Sequence, residues 1–182
     1  AVVVDPDAAI AERFDFQAVV DARMFKRFSP NTIRQDLPLI GLGPGCVAGE
    51  NCLAVIETNR GANLGRIIWQ GSAEQDTGIP GIVEGRGIER VLYSPSSGIF
   101  KGLVKIGELV RQGQILAEVG GEVIKAPFDG LVRGMLRDGL NIRAHMKVGD
   151  IDPCFDRDLA FQISDKALII GKSVLEVVES LT

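Results

Sequence analysis

The sequence predicts an α/β plus β fold, with a partial parallel sheet, a Gly-rich β segment, a duplicated β module and a C-terminal helix. Three observations lead there. Two continuous apolar runs, Ala18-Val19-Val20-Asp21-Ala22 and Leu37-Pro38-Leu39-Ile40-Gly41-Leu42, have the look of strands buried on both faces. Glycine is abundant at 22 residues and aromatics make up only 5%, which favours turns and short strands over a helical bundle. Residues 94–120 and 126–152 are the same pattern written twice, at a constant offset of 32.

The elements follow in order. Val2-Val3-Val4 reads as a short strand that ends at Asp5-Pro6, and residues 7–16 have mixed helical character. With the two apolar runs after them, they make residues 1–41 the remnant of an α/β domain with its sheet covered on both faces. A mononucleotide-binding sheet opens with a strand and a Gly-rich turn, and that part is missing. The chain starts at Ala1 in a strand-like run without a methionine, so further sequence is expected upstream.

Residues 42–93 form a Gly-rich β segment. Its strands are Cys52-Leu53-Ala54-Val55-Ile56-Glu57-Thr58, Arg66-Ile67-Ile68-Trp69-Gln70 and Glu89-Arg90-Val91-Leu92-Tyr93. Residues 94–152 are the repeat, whose halves are each too small to bury an apolar face and should interlock about a shared two-fold axis. Residues 153–163 return in extended form through Leu159-Ala160-Phe161-Gln162-Ile163. Residues 164–181 are a helix with Ser164 as N-cap and Asp165 in the first turn. Leu168, Gly171, Val174, Leu175, Val178 and Leu181 make its apolar face.

Composition narrows the function. A net charge of −4 with no Lys/Arg block argues against nucleic acid. There is no 18-residue apolar run, signal segment or lipidation motif, so no membrane role is expected. Three cysteines, Cys46, Cys52 and Cys154, fit reduced thiols in a cytoplasm better than a disulfide framework. A homo-oligomer stays open.

The candidate ligand site lies before the repeat. In residues 41–49, Gly43, Gly45 and Cys46 follow a strand, where glycine lets backbone approach a phosphate and successive N–H groups form an anion nest. A tight turn between two sheets explains the same glycines. Glu57, Arg60, Arg66 and Thr77 stand on Gly-flanked turns, with the arginines as bidentate clamps for a phosphorylated or oxyanionic ligand. Alternatively, Glu57 and Arg66 pair across adjacent strands. Cys46 is either a reactive thiolate that receives sulfur or selenium, or a small buried hydrophobe. Cys46 and Cys52 lack partners at zinc spacing, Asp150 and Asp152 lack further ligands for a hard metal, and no metal is expected. His145 reads as a turn residue in the place of Gly113, and no nucleophile–histidine arrangement is supported.

Within the repeat, Ile124-Lys125-Ala126-Pro127-Phe128-Asp129-Gly130-Leu131-Val132 resembles the barrel-sandwich hybrid of biotinyl and lipoyl carrier domains. Carriers of that family hold an acceptor lysine at the tip of the hairpin between the halves. Here the tip is Gly120-Gly121, suited to a two-residue primed turn, and Lys125 lies on the outgoing strand. Neither biotin nor lipoate is expected.

Over most of its length the chain resembles the accessory proteins of the selenium-dependent molybdenum hydroxylase system. The matching stretches are Val20-Asp21-Ala22-Arg23-Met24-Phe25-Lys26-Arg27, residues 41–49, Val55-Ile56-Glu57-Thr58-Asn59-Arg60-Gly61, Leu64-Gly65-Arg66 and Asp76-Thr77-Gly78-Ile79-Pro80-Gly81. They continue with Ala126-Pro127-Phe128-Asp129-Gly130, Gly149-Asp150-Ile151-Asp152-Pro153 and Ile163-Ser164-Asp165-Lys166-Ala167. The resemblance implies a Rossmann-like N-terminal half, barrel-sandwich character after it, and a cytoplasmic role in maturing a molybdenum hydroxylase. The implied cofactor is a molybdenum pterin or a nucleotide, and the implied partner is the hydroxylase or its maturation proteins. The chain departs from the family at Leu53 and Ala62, where the pattern has histidines, and at Gly171-Lys172-Ser173, where it has three glycines. A chemistry that needs those histidines is not available here. Two other readings remain: a docking module without chemistry, and a nucleotide-dependent enzyme whose nucleotide site lies upstream of Ala1.

Overall fold

In the computed structural model, which describes residues 1–28, 36–78 and 85–182, the chain divides into two units. The first is Ala1–Thr77 with Ser164–Thr182, and the second is Gly78–Ile163. Its mixed sheets carry most of the regular structure, and one α-helix stands at the C-terminal end of the described residues.

The first unit is built on a four-stranded sheet in the order β1-β2-β4-β5. Its strands are β1 (Val19–Asp21), β2 (Leu39–Leu42), β4 (Ala54–Ile56) and β5 (Ile67–Ile68). The first three are parallel and β5 closes the edge antiparallel. Both apolar runs thus become parallel strands, shorter than the runs themselves. The boundary expected after residue 41 runs through this sheet, because β2 pairs with β4 across it.

Alternation assigns the two faces. Ile40, Ala54 and Ile56 pack with Ile170 and Val177 of helix α1 (Asp165–Glu179). Val55 and Ile68 face the other way, into a cluster with Cys46, Ala48 and Ala73. That second cluster is covered by β3 (Val47–Ala48) paired with β6 (Gly71–Ser72). The sheet is therefore covered on both faces, and among the described residues a helix lies on one of them.

Helix α1 begins as expected: Ser164 Oγ accepts from the Ala167 N–H at 3.2 Å. Its buried face is not the expected one. Ile170, Ser173 and Val177 point inward with Val174 and Val178 beside them, whereas Leu168 and Leu175 are exposed. The Ser173 hydroxyl donates to the Gly65 carbonyl at 2.6 Å, which sets the rotation of the helix. Gly65 has a φ of +81° and packs directly on Ile169, so no side chain fits there. Burying Ile170 and Val177 contributes roughly 1.5–3 kcal/mol each.

Val2-Val3-Val4 does not form a strand. All three side chains are exposed, since nothing pairs with the run among the described residues. Asp5 then accepts from the N–H groups of Ala9 and Ile10 and starts a 3-10 turn over Ala9–Glu12, which is the only helical turn within residues 7–16.

The second unit realises the duplication as an exchange of strands. One sheet has the order β11-β10-β8-β13 and the other β7-β14-β12-β9. Half one supplies β7 (Val91–Tyr93), β8 (Gly98–Gly102), β9 (Leu109–Val110) and β10 (Ile115–Val119). Half two supplies β11 (Glu122–Lys125), β12 (Gly130–Met135), β13 (Asn141–Ile142) and β14 (Lys147–Asp152). Each sheet thus takes two strands from each half. The register repeats too. Gly98 pairs with Ile142 as Gly130 pairs with Val110, and Val119 pairs with Phe100 as Ile151 pairs with Val132. Lys147 pairs with Tyr93 as Ile115 pairs with Lys125. The repeat therefore begins at Val91, earlier than the expected residue 94, and takes in the last strand of the Gly-rich segment. One difference breaks the symmetry: the second half carries a bulge at Arg133, whose guanidinium reaches Asp152 at 3.4 Å.

A single core fills the space between these sheets, with Phe100, Leu116, Val119, Val132, Val148 and Ile151 all at or near zero exposure. The hairpin Gly120-Gly121 has φ of 56° and 88°, which suits the predicted primed turn. A Cβ on Gly120 would lie 2.6 Å from the Ser97 carbonyl oxygen, so that side of the tip is closed by backbone. Residues 153–163 do not return as a strand. Asp156 accepts from the Asp158 N–H at 3.0 Å and caps a 3-10 turn over Arg157–Ala160.

Candidate functional site

Three loops leave the carboxyl ends of β1, β2 and β4, where open parallel sheets bind their ligands. The first carries Arg23, Met24 and Phe25, the second Gly43, Pro44, Gly45 and Cys46, and the third Glu57, Thr58, Asn59 and Arg60.

The loops are tied to one another. Asp21, buried at the end of β1, receives Arg23 in a two-point ion pair at 2.9 and 2.6 Å. This ion pair, led by the Arg23 hydrogen bonds, holds the Asp21 carboxyl below its usual range. The same guanidinium lies 4.5 Å from the centre of the Phe25 ring. Phe25 in turn presses on Gly45, where a Cβ would stand 2.6 Å from Phe25 Cβ. Gly43 has a φ of +78°, and a Cβ there would meet Thr58 Oγ1 at 2.9 Å. Both glycines are thus needed for loop-on-loop packing, whatever else they approach.

Glu57 is almost fully buried and has a structural task. One carboxylate oxygen accepts from the Asn59 N–H and the other from the Glu74 N–H, each at 2.7 Å. Glu74 then accepts from the side-chain amides of Asn59 at 2.7 Å and Asn63 at 2.8 Å. These bonds from the two amides lower its pKa. Glu57 and Arg66 do lie on neighbouring chain segments, joined through the Glu57 N–H and the Arg66 carbonyl at 3.0 Å. The Glu57 carboxylate itself is taken up by backbone.

Arg60 is a bidentate clamp, as its chemistry suggested, but the carboxylate it holds is this chain's own Asp165, at 3.0 and 3.1 Å. That bond ties the β4 loop to the start of α1. Next to it is Lys166, half-buried, with its pKa lowered by burial and then by Arg60. Arg66 is exposed beside Glu74, and Thr77 is exposed after β6. The structure therefore gathers Gly43, Gly45, Cys46, Glu57 and Arg60 around adjacent loops and leaves Arg66 and Thr77 at the periphery. Ile79-Pro80-Gly81 lies outside the described residues.

Sequence reasoning missed Asp21, Arg23 and Lys166 as members. The signal for Asp21 was present, since an acid closing a buried strand two residues before an arginine invites a local pair. For Lys166 only the cap of α1 was legible.

Asp150 and Asp152 are used within the second unit. Arg90 meets Asp150 at 3.0 Å, and Asp152 accepts from the Cys154 N–H at 3.0 Å while facing Arg133. Lys125 is exposed on β11, away from the hairpin tip.

No protein-family model matches the chain. It is 42% identical over 180 residues to the uncharacterized protein YqeB of Escherichia coli (strain K12), covering 99% of this chain and 33% of that protein. The chain thus spans about a third of the length of the curated relative it matches. Among solved structures, an aspartoacylase family protein from Mesorhizobium loti is 23% identical, with 36% of this chain and 24% of that one aligned at a TM-score of 0.33. The ectoine utilization protein EutE (DoeB) from Ruegeria pomeroyi, with product bound, is 20% identical over 48% of this chain and 28% of its own, at a TM-score of 0.30. Likenesses of that size leave those proteins' activities with those proteins. Among the described residues no helix is long and apolar enough to cross a membrane.

Proposed function

We propose that the chain is part of an accessory factor that matures a selenium-dependent molybdenum hydroxylase, and that its first unit binds a phosphorylated cofactor or precursor. One observation carries the ligand class. Glycine-lined loops at the carboxyl ends of three parallel strands stand with Arg60, Arg66 and Lys166 in the same unit as the amino end of α1. Glycine backbone that a phosphate can approach, with Arg66 and Lys166 as cations in the same unit, supports an oxyanion on a flat heterocycle. The maturation role rests on the motif resemblance that runs along most of the sequence. In this reading the first unit is a Rossmann-like remnant in the cytoplasm. The second is a barrel-sandwich hybrid without a prosthetic arm, supported by its two-fold exchange of strands.

The test is a thermal-shift panel of molybdenum pterin cofactor, its phosphorylated precursors and nucleotides. A shift with the pterin that falls in Arg66→Ala and Lys166→Ala supports the reading. A shift with nucleotides alone favours the nucleotide enzyme, and none across the panel overturns ligand binding.

Docking is the second reading. Ile99, Leu103, Ile106, Leu109 and Ile115 of the second unit are exposed aliphatics, more than a small β module needs on its surface. Co-purification with the hydroxylase that survives Arg66→Ala but fails after Ile99→Glu supports it.

A further inference from the structure

Cys46 and Cys52 are six positions apart in sequence, yet their sulfurs meet over one backbone atom. A Cβ built on Gly41 would lie 2.6 Å from Cys46 Sγ and 3.7 Å from Cys52 Sγ. The two side chains share a hydrogen bond, and the Gly41 N–H donates to Cys52. Any other residue at 41 would separate them. The connection from β2 to β4 makes this meeting possible: it crosses between parallel strands through β3 and folds back on the sheet, bringing both thiols to the face of Gly41 and Val55.

The surroundings are not those of an inert apolar core. Asp21 pairs with Gly41 in the sheet, so the Asp21–Arg23 ion pair lies beside the sulfurs. The charges of this pair oppose one another at Cys46, where Asp21 raises the pKa and Arg23, the weaker influence, lowers it. The Cys52 S–H lowers the pKa of Cys46, and the same bond raises that of Cys52, so the pair shares its last proton. The two thiols also differ in access. Cys46 is 6% exposed. Cys52 lines a cavity of about 660 Å³ whose wall includes Leu37, Leu39, Leu53 and Leu181.

We propose that Cys46 and Cys52 form a redox dithiol, with Cys52 the outer attacking thiol and Cys46 the inner resolving one, that closes to an intramolecular disulfide by exchange with an incoming disulfide. In the first step the Cys52 sulfur, having given up its proton to solvent, attacks one sulfur of the incoming disulfide as a thiolate. The S–S bond of the incoming molecule breaks and its first half leaves as a thiolate. That thiolate takes the proton of the Cys46 thiol. The Cys46 sulfur then attacks Cys52, breaks the mixed disulfide and expels the second half. Two protein sulfurs are oxidised, and the two sulfurs of the incoming disulfide are reduced to thiol and thiolate. A protein disulfide or a small one supplies the same chemistry, and neither arm depends on the ligand proposed for the loops.

The experiment uses the full chain, reduced and freed of reductant, with glutathione disulfide as probe and intact-mass and peptide mass spectrometry as readout. The wild type is expected to lose two hydrogens and yield a Cys46–Cys52 linked peptide, with no bridge to Cys154. Cys46→Ser is expected to trap a glutathione adduct on Cys52. Cys52→Ser should slow modification of Cys46 by about tenfold or more, because the outer thiol is gone. Circular dichroism of the two variants separates lost reactivity from lost folding. The proposal is overturned if the folded wild type keeps three titratable thiols. It is equally overturned if the wild type accumulates an adduct that never closes, or if a bridge forms only in denaturant.

Discussion

His145 holds the backbone conformation of Gly113 at the equivalent point of the second half. Gly113 has a φ of 80° and His145 a φ of 63°. The Gly113 N–H donates to the Ala126 carbonyl at 2.8 Å, and the His145 N–H donates to the Ser94 carbonyl at the same distance. Both bonds cross between halves at equivalent positions, so both turns must be left-handed. Glycine adopts that conformation freely, whereas a residue with a Cβ is strained there by about 1–2 kcal/mol. His145→Gly should therefore stabilise the second unit by about 0.5–1 kcal/mol, once the extra freedom of glycine in the unfolded chain is set against the relieved strain. Gly113→Ala should destabilise it by about 1 kcal/mol, since open space surrounds Gly113 and only φ resists. Urea unfolding of the three proteins checks both signs. A loss of stability in His145→Gly would show that the histidine ring contributes more than its backbone costs.

Glu57 organises two loops from inside the protein, so its removal should cost stability before it costs any ligand. Glu57→Ala leaves the Asn59 and Glu74 N–H groups without their carboxylate, a loss of roughly 2–4 kcal/mol. Glu57→Gln keeps one acceptor oxygen and should lose about half as much. Denaturant titration separates the two, and equal losses would mean that shape rather than hydrogen bonding decides.

Gly45 separates a ligand explanation from a packing explanation. A Cβ there would stand 2.7 Å from the Phe25 carbonyl oxygen, which is backbone and cannot swing aside. Gly45→Ala should lower stability by about 1–3 kcal/mol in the absence of any ligand. Gly49→Ala, with nothing within 4 Å but a φ of +87°, should cost about 1 kcal/mol. A Gly45→Ala protein that is as stable as wild type, yet has lost its ligand response, would return this glycine to the phosphate-approach role.

These particulars show what the sequence could carry. The duplication was legible because turn glycines recur at fixed offset, as in Gly107 and Gly139, which both have positive φ. Its first strand was not, because Val91-Leu92-Tyr93 and Val123-Ile124-Lys125 share only an apolar start and lie before the Pro-containing turns. The parallel strands were legible as apolar runs, whereas the layer opposite α1 was built from two-residue strands too short to show a period. The face of α1 was ambiguous because Leu168-Ile169-Ile170 spreads apolar side chains around the helix. The Ser173–Gly65 bond resolves that ambiguity, and it links residues 108 positions apart. At the site, Gly43, Gly45 and Glu57 could be found as residues on special turns. Their tasks could not, since Phe25, Thr58 and Glu74 become their partners only through the fold.

Arg60, Asp165 and Lys166 form a charged group whose titrations should move together. The Asp165 carboxyl is drawn down to about 2, first by its hydrogen bonds with Arg60 and then by the Lys166 N–H. A carboxyl that is more acidic in the folded chain stabilises it above the ordinary value near 3.8, and this contribution is lost as pH falls toward about 2. Lys166 is lowered by burial and then by the positive charge of Arg60. Arg60→Ala removes the main cause at Asp165 and the second cause at Lys166, so both pKa values should rise. The dependence of stability on pH between about 4 and 2 should become shallower, because folded and unfolded chains then take up the Asp165 proton over closer ranges, with only the backbone N–H groups still holding it down. NMR titration of the Asp165 carboxyl and Lys166 ammonium in wild type and Arg60→Ala reads both shifts. If Asp165 titrates unchanged in the variant, the helix terminus rather than Arg60 holds it ionised. If only Lys166 stays fixed, burial alone sets its affinity for the proton.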